Sequence, residues 1–234
     1  MSLRNSSVRI LSLAALAAGA AVTSSASATI IAGWSITTAF PTGAGNVPTG
    51  QTYSVGAADQ GVQTAGSELS SFHTNPAATY TSPAGNGSQY SFSSNNWGIG
   101  DYYEARLSTL GYSDIQLSWD QARSSTGPSS FELILSTDGG VSFSLVTNYT
   151  VLQSGGGGAP GTWSSTTYNP LYTTTLSVAG ADNQALVIFR FRAVSAASAA
   201  TGSNRIDNVV ISSIPTPGAL ALLGLAGLAA RRRR

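Results

Sequence analysis

From residue 185 to residue 193 the chain reads Ala-Leu-Val-Ile-Phe-Arg-Phe-Arg-Ala, with Val187, Phe189, Phe191 and Ala193 on one parity and Arg190 and Arg192 on the other. A period of two sends alternate side chains to opposite faces, so this segment is a strand with one face inward. The same alternation recurs upstream. Tyr103, Ala105 and Leu107 share a face in 101–108, and Ile115, Leu117 and Trp119 oppose Gln116 and Ser118 in 114–122. Phe131, Leu133 and Leu135 follow the same rule. Further strands are expected over 30–38, 89–92, 141–148, 162–168, 172–178 and 205–214, with 39–88 looser. Helical periodicity is nearly absent between Thr29 and Ser213. About nine or ten short strands, separated by Gly, Pro, Asn and Ser, predict an all-β fold. The expected architecture is an antiparallel β-sandwich, jelly-roll-like. No fixed-period repeat supports a solenoid.

Composition narrows what such a sandwich can do. There is no cysteine, which excludes disulfides, thiol catalysis and Cys-based metal sites. Six of the eleven basic residues lie in the two terminal segments: Arg4, Arg9 and Arg231 to Arg234. The interior keeps five arginines against all ten acids, a formal charge of −5. That balance excludes a basic nucleic-acid footprint.

Both ends read as addresses. Arg4 and Arg9 precede an apolar run from Ile10 to Val22, and Ala26-Ser27-Ala28 supplies an A-x-A cleavage site. Signal peptidase would cut there and leave Thr29 as the first mature residue. At the other end Pro215-Thr216-Pro217 leads into the apolar run from Gly218 to Ala230 and then Arg231-Arg232-Arg233-Arg234. Cations resist translocation, so the arginines stay cytoplasmic and the domain lies outside. Thirteen helical residues reach about 20 Å against a hydrocarbon core of about 30 Å, which suits transient rather than permanent holding. The expected organisation is a signal peptide over 1–28 with an N-terminal signal helix, a β-sandwich over 29–213, and a sorting tail over 214–234 with a C-terminal hydrophobic helix.

The tail resembles a PEP-CTERM sorting signal, carried by Pro215, Pro217, Gly218, the Leu/Gly/Ala run and the Arg cluster. Thr216 stands where that family usually has Glu. The resemblance implies a Gram-negative-type bacterium and processing near Pro-x-Pro by an exosortase. It further implies delivery to the cell surface or extracellular matrix, with membrane anchoring only before cleavage.

Within the domain, Ser136-Thr137-Asp138-Gly139-Gly140-Val141-Ser142-Phe143 resembles an Asp-box, a structural hairpin turn remote from catalysis. Asp138 would accept backbone N–H groups there, Gly139 and Gly140 would take positive φ, and Phe143 would plug the core. Arg205-Ile206-Asp207-Asn208-Val209-Val210-Ile211 resembles the closing strand of secreted jelly-roll modules. Some of those bind calcium at this edge, with Asp207 and Asn208 as two of the six to eight oxygen ligands needed. The alternative there is an Arg–Asp pair with a kink at the strand edge.

Trp97, Asp101, Tyr102 and Glu104 combine aromatic faces with carboxylates and form a candidate glycan surface; the alternative puts Trp97 and Tyr103 in the core. His73 is the only histidine, so any Ser-His-Asp triad must be built on it. Asp101, Glu104, Asp120 and Glu132 are the candidates for a glycoside-hydrolase pair, which needs a separation of roughly 5–10 Å. Three functions compete. An exported structural or adhesive protein without enzymatic activity or required cofactor is favoured. A module that binds exopolysaccharide, with or without calcium, is the runner-up, and a glycan-active hydrolase comes third.

Overall fold

The computed structural model describes residues 28–39, 47–48 and 51–213. Within them lie fourteen strands: β1 (Thr29–Trp34), β2 (Val47–Pro48), β3 (Thr52–Gly56), β4 (Glu68–Phe72), β5 (Thr79–Thr81), β6 (Phe92–Ser94), β7 (Tyr102–Leu107), β8 (Ile115–Arg123), β9 (Ser130–Ser136), β10 (Ser144–Thr150), β11 (Leu152–Gln153), β12 (Thr173–Ser177), β13 (Val187–Ala193) and β14 (Asn204–Ser213). They form an all-β sandwich of two sheets. One sheet runs β11-β8-β14-β6-β5-β2, with β1 added to β14 and β12 to β8; the other runs β10-β9-β13-β7-β4-β3. Among the described strands only the short β11–β8 pairing is parallel. The chain passes from one sheet to the other after β2, β4, β6, β7, β8, β10, β12 and β13, which gives the jelly-roll-like character.

The core follows the alternation. Val187, Phe189, Phe191 and Ala193 are buried, Arg190 is half-buried and Arg192 is exposed. Ile115, Leu117 and Trp119 face them from β8. The rings interlock: Trp119 meets Phe191 at 5.1 Å and Tyr149 at 5.2 Å, and Trp97 meets Tyr103 at 4.9 Å and Phe131 at 5.5 Å. Each such side chain stabilises the fold by about 1.5–3 kcal/mol through burial, so a chain without disulfides has a sufficient anchor.

Strand β14 carries the main irregularity. Its pairing with β8 shifts register between Asp207 and Val210, and Asn208 adopts φ 46°. This bulge reverses the parity of the strand. Asn204 and Ile206 face inward before it, and Val209 and Ile211 after it. The edge facing away from β8 is thereby divided, with β6 paired to Asn204–Ile206 and β1 to the second half. The expected kink is present, but Arg205 makes no ion pair with Asp207.

Residues 162–168 form no strand; a single bridge, Ser164 to Thr167, closes a loop. The strand expected over 89–92 is displaced to β6. The looser stretch holds β2 to β5. Strand β10 starts at Ser144 because Val141 and Ser142 are spent on the preceding turn. The signal helix and the C-terminal hydrophobic helix lie outside the described residues, as do Ala26 and the sorting residues Pro215, Thr216, Pro217, Gly218 and Arg231 to Arg234. Among the described residues no helix is long and apolar enough to cross a membrane.

Candidate functional site

The solitary histidine sits in a Ser-His-Asp arrangement. His73 Nδ1 lies 3.0 Å from Asp101 Oδ2, and His73 Nε2 lies 3.0 Å from Ser94 Oγ. Asp101 also accepts from Thr74 N at 2.7 Å, Thr74 Oγ1 at 2.9 Å and Gly98 N at 2.6 Å. Burial alone would raise its carboxyl pKa. The bonds from His73, Gly98 and Thr74 outweigh burial and hold it below the usual carboxylate value. In the neutral ring, Nδ1–H donates to Asp101 and Nε2 accepts from Ser94. This is the connectivity that activates a serine nucleophile, but its location is wrong for one. Ser94 points inward from β6, and all three side chains are sealed. Trp97 covers the imidazole edge-on at 4.4 Å, and Tyr103 Oη stands 3.3 Å from Ser94 Oγ. Ser94 is 2% exposed, and its Oγ is turned to His73 and Tyr103 rather than to the surface. The three residues tie together β6, the segment after β4 and the start of β7.

The same burial overturns the expected glycan platform. Trp97 is 3% exposed and Asp101 0%. Trp97 borders a depression of about 500 Å³ with Thr74, Asn75 and Asn96, but its faces are committed to His73, Tyr103 and Phe131. Glu104 pairs with Arg190, and Tyr102 takes the Arg190 guanidinium over its ring at 4.2 Å. Glu132 pairs with Arg192. Trp34 and Trp119 are core residues.

The Asp-box-like turn forms around Asp138. Its Oδ1 accepts from Val141 N and Ser142 N, each at 3.0 Å, and from Ser136 Oγ at 2.7 Å; Gly140 N donates to Ser136 Oγ at 2.9 Å. Gly139 and Gly140 have φ of 80° and 92°. Phe143 departs from expectation. It does not enter the core but lies on the outer face of its sheet, 4.2 Å from the Arg190 guanidinium.

Asp207 and Asn208 belong to a buried polar cluster. Asp207 and Asp120 are register partners on β14 and β8, both outside the sandwich core and sealed by the loop around Asn86. Asn86 N donates to Asp207 Oδ2 at 2.8 Å, and Ser88 Oγ donates to the same oxygen. Asn208 Nδ2 donates to Asp120 Oδ2 at 2.7 Å and Asp207 Oδ2 at 3.3 Å, while Asn86 Nδ2 reaches Asp120 Oδ2 at 3.0 Å. Asp207 Oδ1 has no partner. Burial pushes the Asp207 carboxyl up to about 7 and raises Asp120 as well. Amide hydrogens, not oxygen lone pairs, fill the space between the two carboxylates. That geometry does not fit the calcium expected at Asp207 and Asn208, since the amide of Asn208 turns its nitrogen to the acids. Among the described residues, no three His, Cys, Asp or Glu side chains are grouped to hold a metal.

One feature was not legible in the sequence. Thr81, Ser93 and Arg205 are cross-strand partners on β5, β6 and β14. With Thr79, Pro83, Ser94, Asn95, Thr201 and Ser203 they line a depression of about 340 Å³. Ala122 is the β8 partner of Arg205. Arg205 Nε is buried and has no hydrogen-bond partner, and none of the ion pairs among the described residues includes Arg205. Burial pulls its pKa below the ordinary value. Trp163 flanks it, 5.9 Å from ring centroid to guanidinium, held by its Nε1 donating to Ala84 O at 2.8 Å.

No known family profile matches the chain, and no curated protein matches it. Solved structures do. The K3 cleaved adhesin domain of Lys-gingipain from Porphyromonas gingivalis is similar at 16% identity and a TM-score of 0.38, over 55% of this chain and 76% of that one. The N-terminal modules of endo-1,4-β-D-xylanase 10B from Clostridium thermocellum, crystallised with xylohexaose, align at 12% identity and a TM-score of 0.42, over 80% of this chain and 29% of that one. The N-terminal cellulose-binding domain of β-1,4-glucanase C from Cellulomonas fimi aligns at 12% identity and a TM-score of 0.32, over 81% of this chain and 99% of that one. At these values the functional reading rests on this chain's own residues.

Proposed function

We propose that this chain is an exported β-sandwich with a structural or adhesive role at the cell surface or in the extracellular matrix, and that it is not an enzyme. One observation carries the reading: each of the four acids that the sequence offers for a hydrolytic pair is committed to a structural partner. Asp101 is held by His73, Thr74 and Gly98, and Asp120 by Asn86, Thr173 and Asn208. Glu104 and Glu132 are neutralised by Arg190 and Arg192. A general acid and its partner must instead flank a substrate bond in an open cleft. Export rests on the two terminal segments, through signal peptidase at Thr29 and an exosortase near Pro215-Thr216-Pro217, with the membrane engaged only before the second cut.

Mass spectrometry of the native protein tests this. The expected chain starts at Thr29, lacks Arg231 to Arg234 and releases no reducing ends from polysaccharide. A full-length chain in the cytosol, or polysaccharide cleavage abolished by a single carboxylate substitution, overturns it. A second reading, a carbohydrate-binding module, is favoured by the hydroxyl-lined depression beside Arg205.

A further inference from the structure

We infer that the depression over β5, β6 and β14 binds the carboxylate of a uronic-acid residue in an acidic polysaccharide, with Arg205 as the charge partner. The inference deepens the carbohydrate-binding reading and rests on it.

Two of the interior arginines show what this fold does with a guanidinium when it is structural. Arg190 and Arg192 each have a glutamate directly across the sheet. Arg123 is spent on main-chain carbonyls, those of Val151, Ser124 and Ser125. Arg205 differs from these three. Across the strands it faces Ser93 and Ala122. Asp207, two residues along the strand, turns its Oδ2 to Asn86 and Ser88, its Oδ1 has no hydrogen-bond partner, and it makes no ion pair with Arg205. A half-buried cation without an ion pair carries a desolvation cost that a bound anion would offset. The planar fork of arginine matches a carboxylate through two parallel hydrogen bonds.

The surroundings select a sugar acid. Thr79, Thr81, Thr201 and Ser203 present hydroxyls, Asn95 an amide, and Pro83 an apolar edge, a set suited to ring hydroxyls and C–H faces. The volume, about 340 Å³, falls in the range of about 300–1,000 Å³ found for small-ligand sites. The formal −5 of the domain does not forbid an anionic ligand, because charges beyond about 10 Å are screened at 0.1 M salt.

Isothermal titration of the mature domain decides the matter, with four probes: trigalacturonate, its methyl ester, neutral xylotriose and a triglutamate peptide. Trigalacturonate is expected to bind, and the methyl ester, which keeps the sugar frame and loses the charge, to bind at least about tenfold more weakly. Arg205→Gln is expected to remove the difference between acid and ester. Thr81→Trp, which keeps Arg205 and fills the depression, is expected to abolish binding. A thermal melt checks the fold of each variant; if both unfold, the acid-to-ester ratio of the native domain still decides. Equal binding of acid and ester, unchanged binding in Arg205→Gln, or equal binding of the peptide overturns the inference. Neutral sugar bound independently of Arg205 sinks this site and leaves the carbohydrate-binding reading standing. No binding by any sugar sinks both.

Discussion

His73 Nδ1 sits 3.0 Å from Asp101 Oδ2 with neither side chain reaching solvent. The pair completes a Ser-His-Asp connectivity through Ser94 Oγ, so geometry alone would suggest a hydrolase. Access decides otherwise. A fluorophosphonate probe is expected to leave Ser94 unlabelled in the folded protein; labelling would show that the serine is reachable. Asp101→Asn replaces a carboxylate that accepts four donors and leaves N–H facing N–H. The expected cost is about 1–3 kcal/mol, the range for leaving a buried donor unsatisfied, measured by urea unfolding.

Asp207 predicts the response to pH. Its carboxyl is lifted to about 7 in the folded protein from a usual 3.8. The native state therefore binds more protons than the unfolded state between these values. Stability contributed by this group is full below about pH 4 and is lost as pH rises through about 7. Asp101 acts in the opposite sense: its lowered pKa contributes stability above 3.8 that is lost as pH falls below that value. Stability should peak in mildly acidic solution and decline towards pH 8 by an amount on the order of a few kcal/mol. Asp207→Asn should flatten that decline and be more stable than the native protein at pH 8. Urea midpoints between pH 4 and 8 test this, and a native profile rising with pH would refute it.

Strands were legible where inward residues are large and apolar. Val187, Phe189 and Phe191 announce β13, as Ile115, Leu117 and Trp119 announce β8. Strand β4 hides because Leu69 alternates with Ser71, a small buried polar residue that bonds Tyr102 O. Residues 162–168 mislead the other way. They have strand-like composition, but Trp163 and Asn169 are recruited to Ala84 and Asn86, which bends the segment into a loop. The sites were less visible still. Ser94 and Asp101 lie 21 and 28 residues from His73 and meet it only through tertiary packing. The missing ion pair of Arg205 depends on the register of β14 with β6 and β8, which no local pattern encodes.

Arg190 and Arg192 look alike in sequence and should differ in worth. The Arg190 guanidinium lies 4.2 Å from both the Tyr102 and Phe143 rings and pairs with Glu104. Arg192 has only its Glu132 pair and is more exposed. Arg190→Ala should cost about 1–3 kcal/mol, through cation–π contact and lost cover together. Arg192→Ala should cost under about 1 kcal/mol, as exposed pairs do. Arg190→Lys should not restore the loss, because an ammonium cannot stack between two rings. Equal losses in chemical denaturation would contradict this ranking.

The Asp138 turn should behave as a local clamp rather than a support of the core. Its carboxylate receives the amides of Val141 and Ser142 and the hydroxyls of Ser136 and Ser142. Those bonds, led by Ser142, hold its pKa far below the usual 3.8. The clamp is therefore intact above that value and is released only as pH falls well beneath it. Hydrogen exchange at Val141 and Ser142 should stay slow down to about pH 3, the low end of ordinary carboxyl titration. Asp138→Ala should accelerate those two amides and leave Phe189 and Phe191 unchanged, because the lost acceptors serve the turn and not the ladder of β13. Gly140→Ala should destabilise more broadly, by about 1–2 kcal/mol, the cost of forcing a side chain into the left-handed region; Gly140 holds φ 92° beside Ile188. Accelerated exchange of β13 in Asp138→Ala would mean that the hairpin pins the sheet itself.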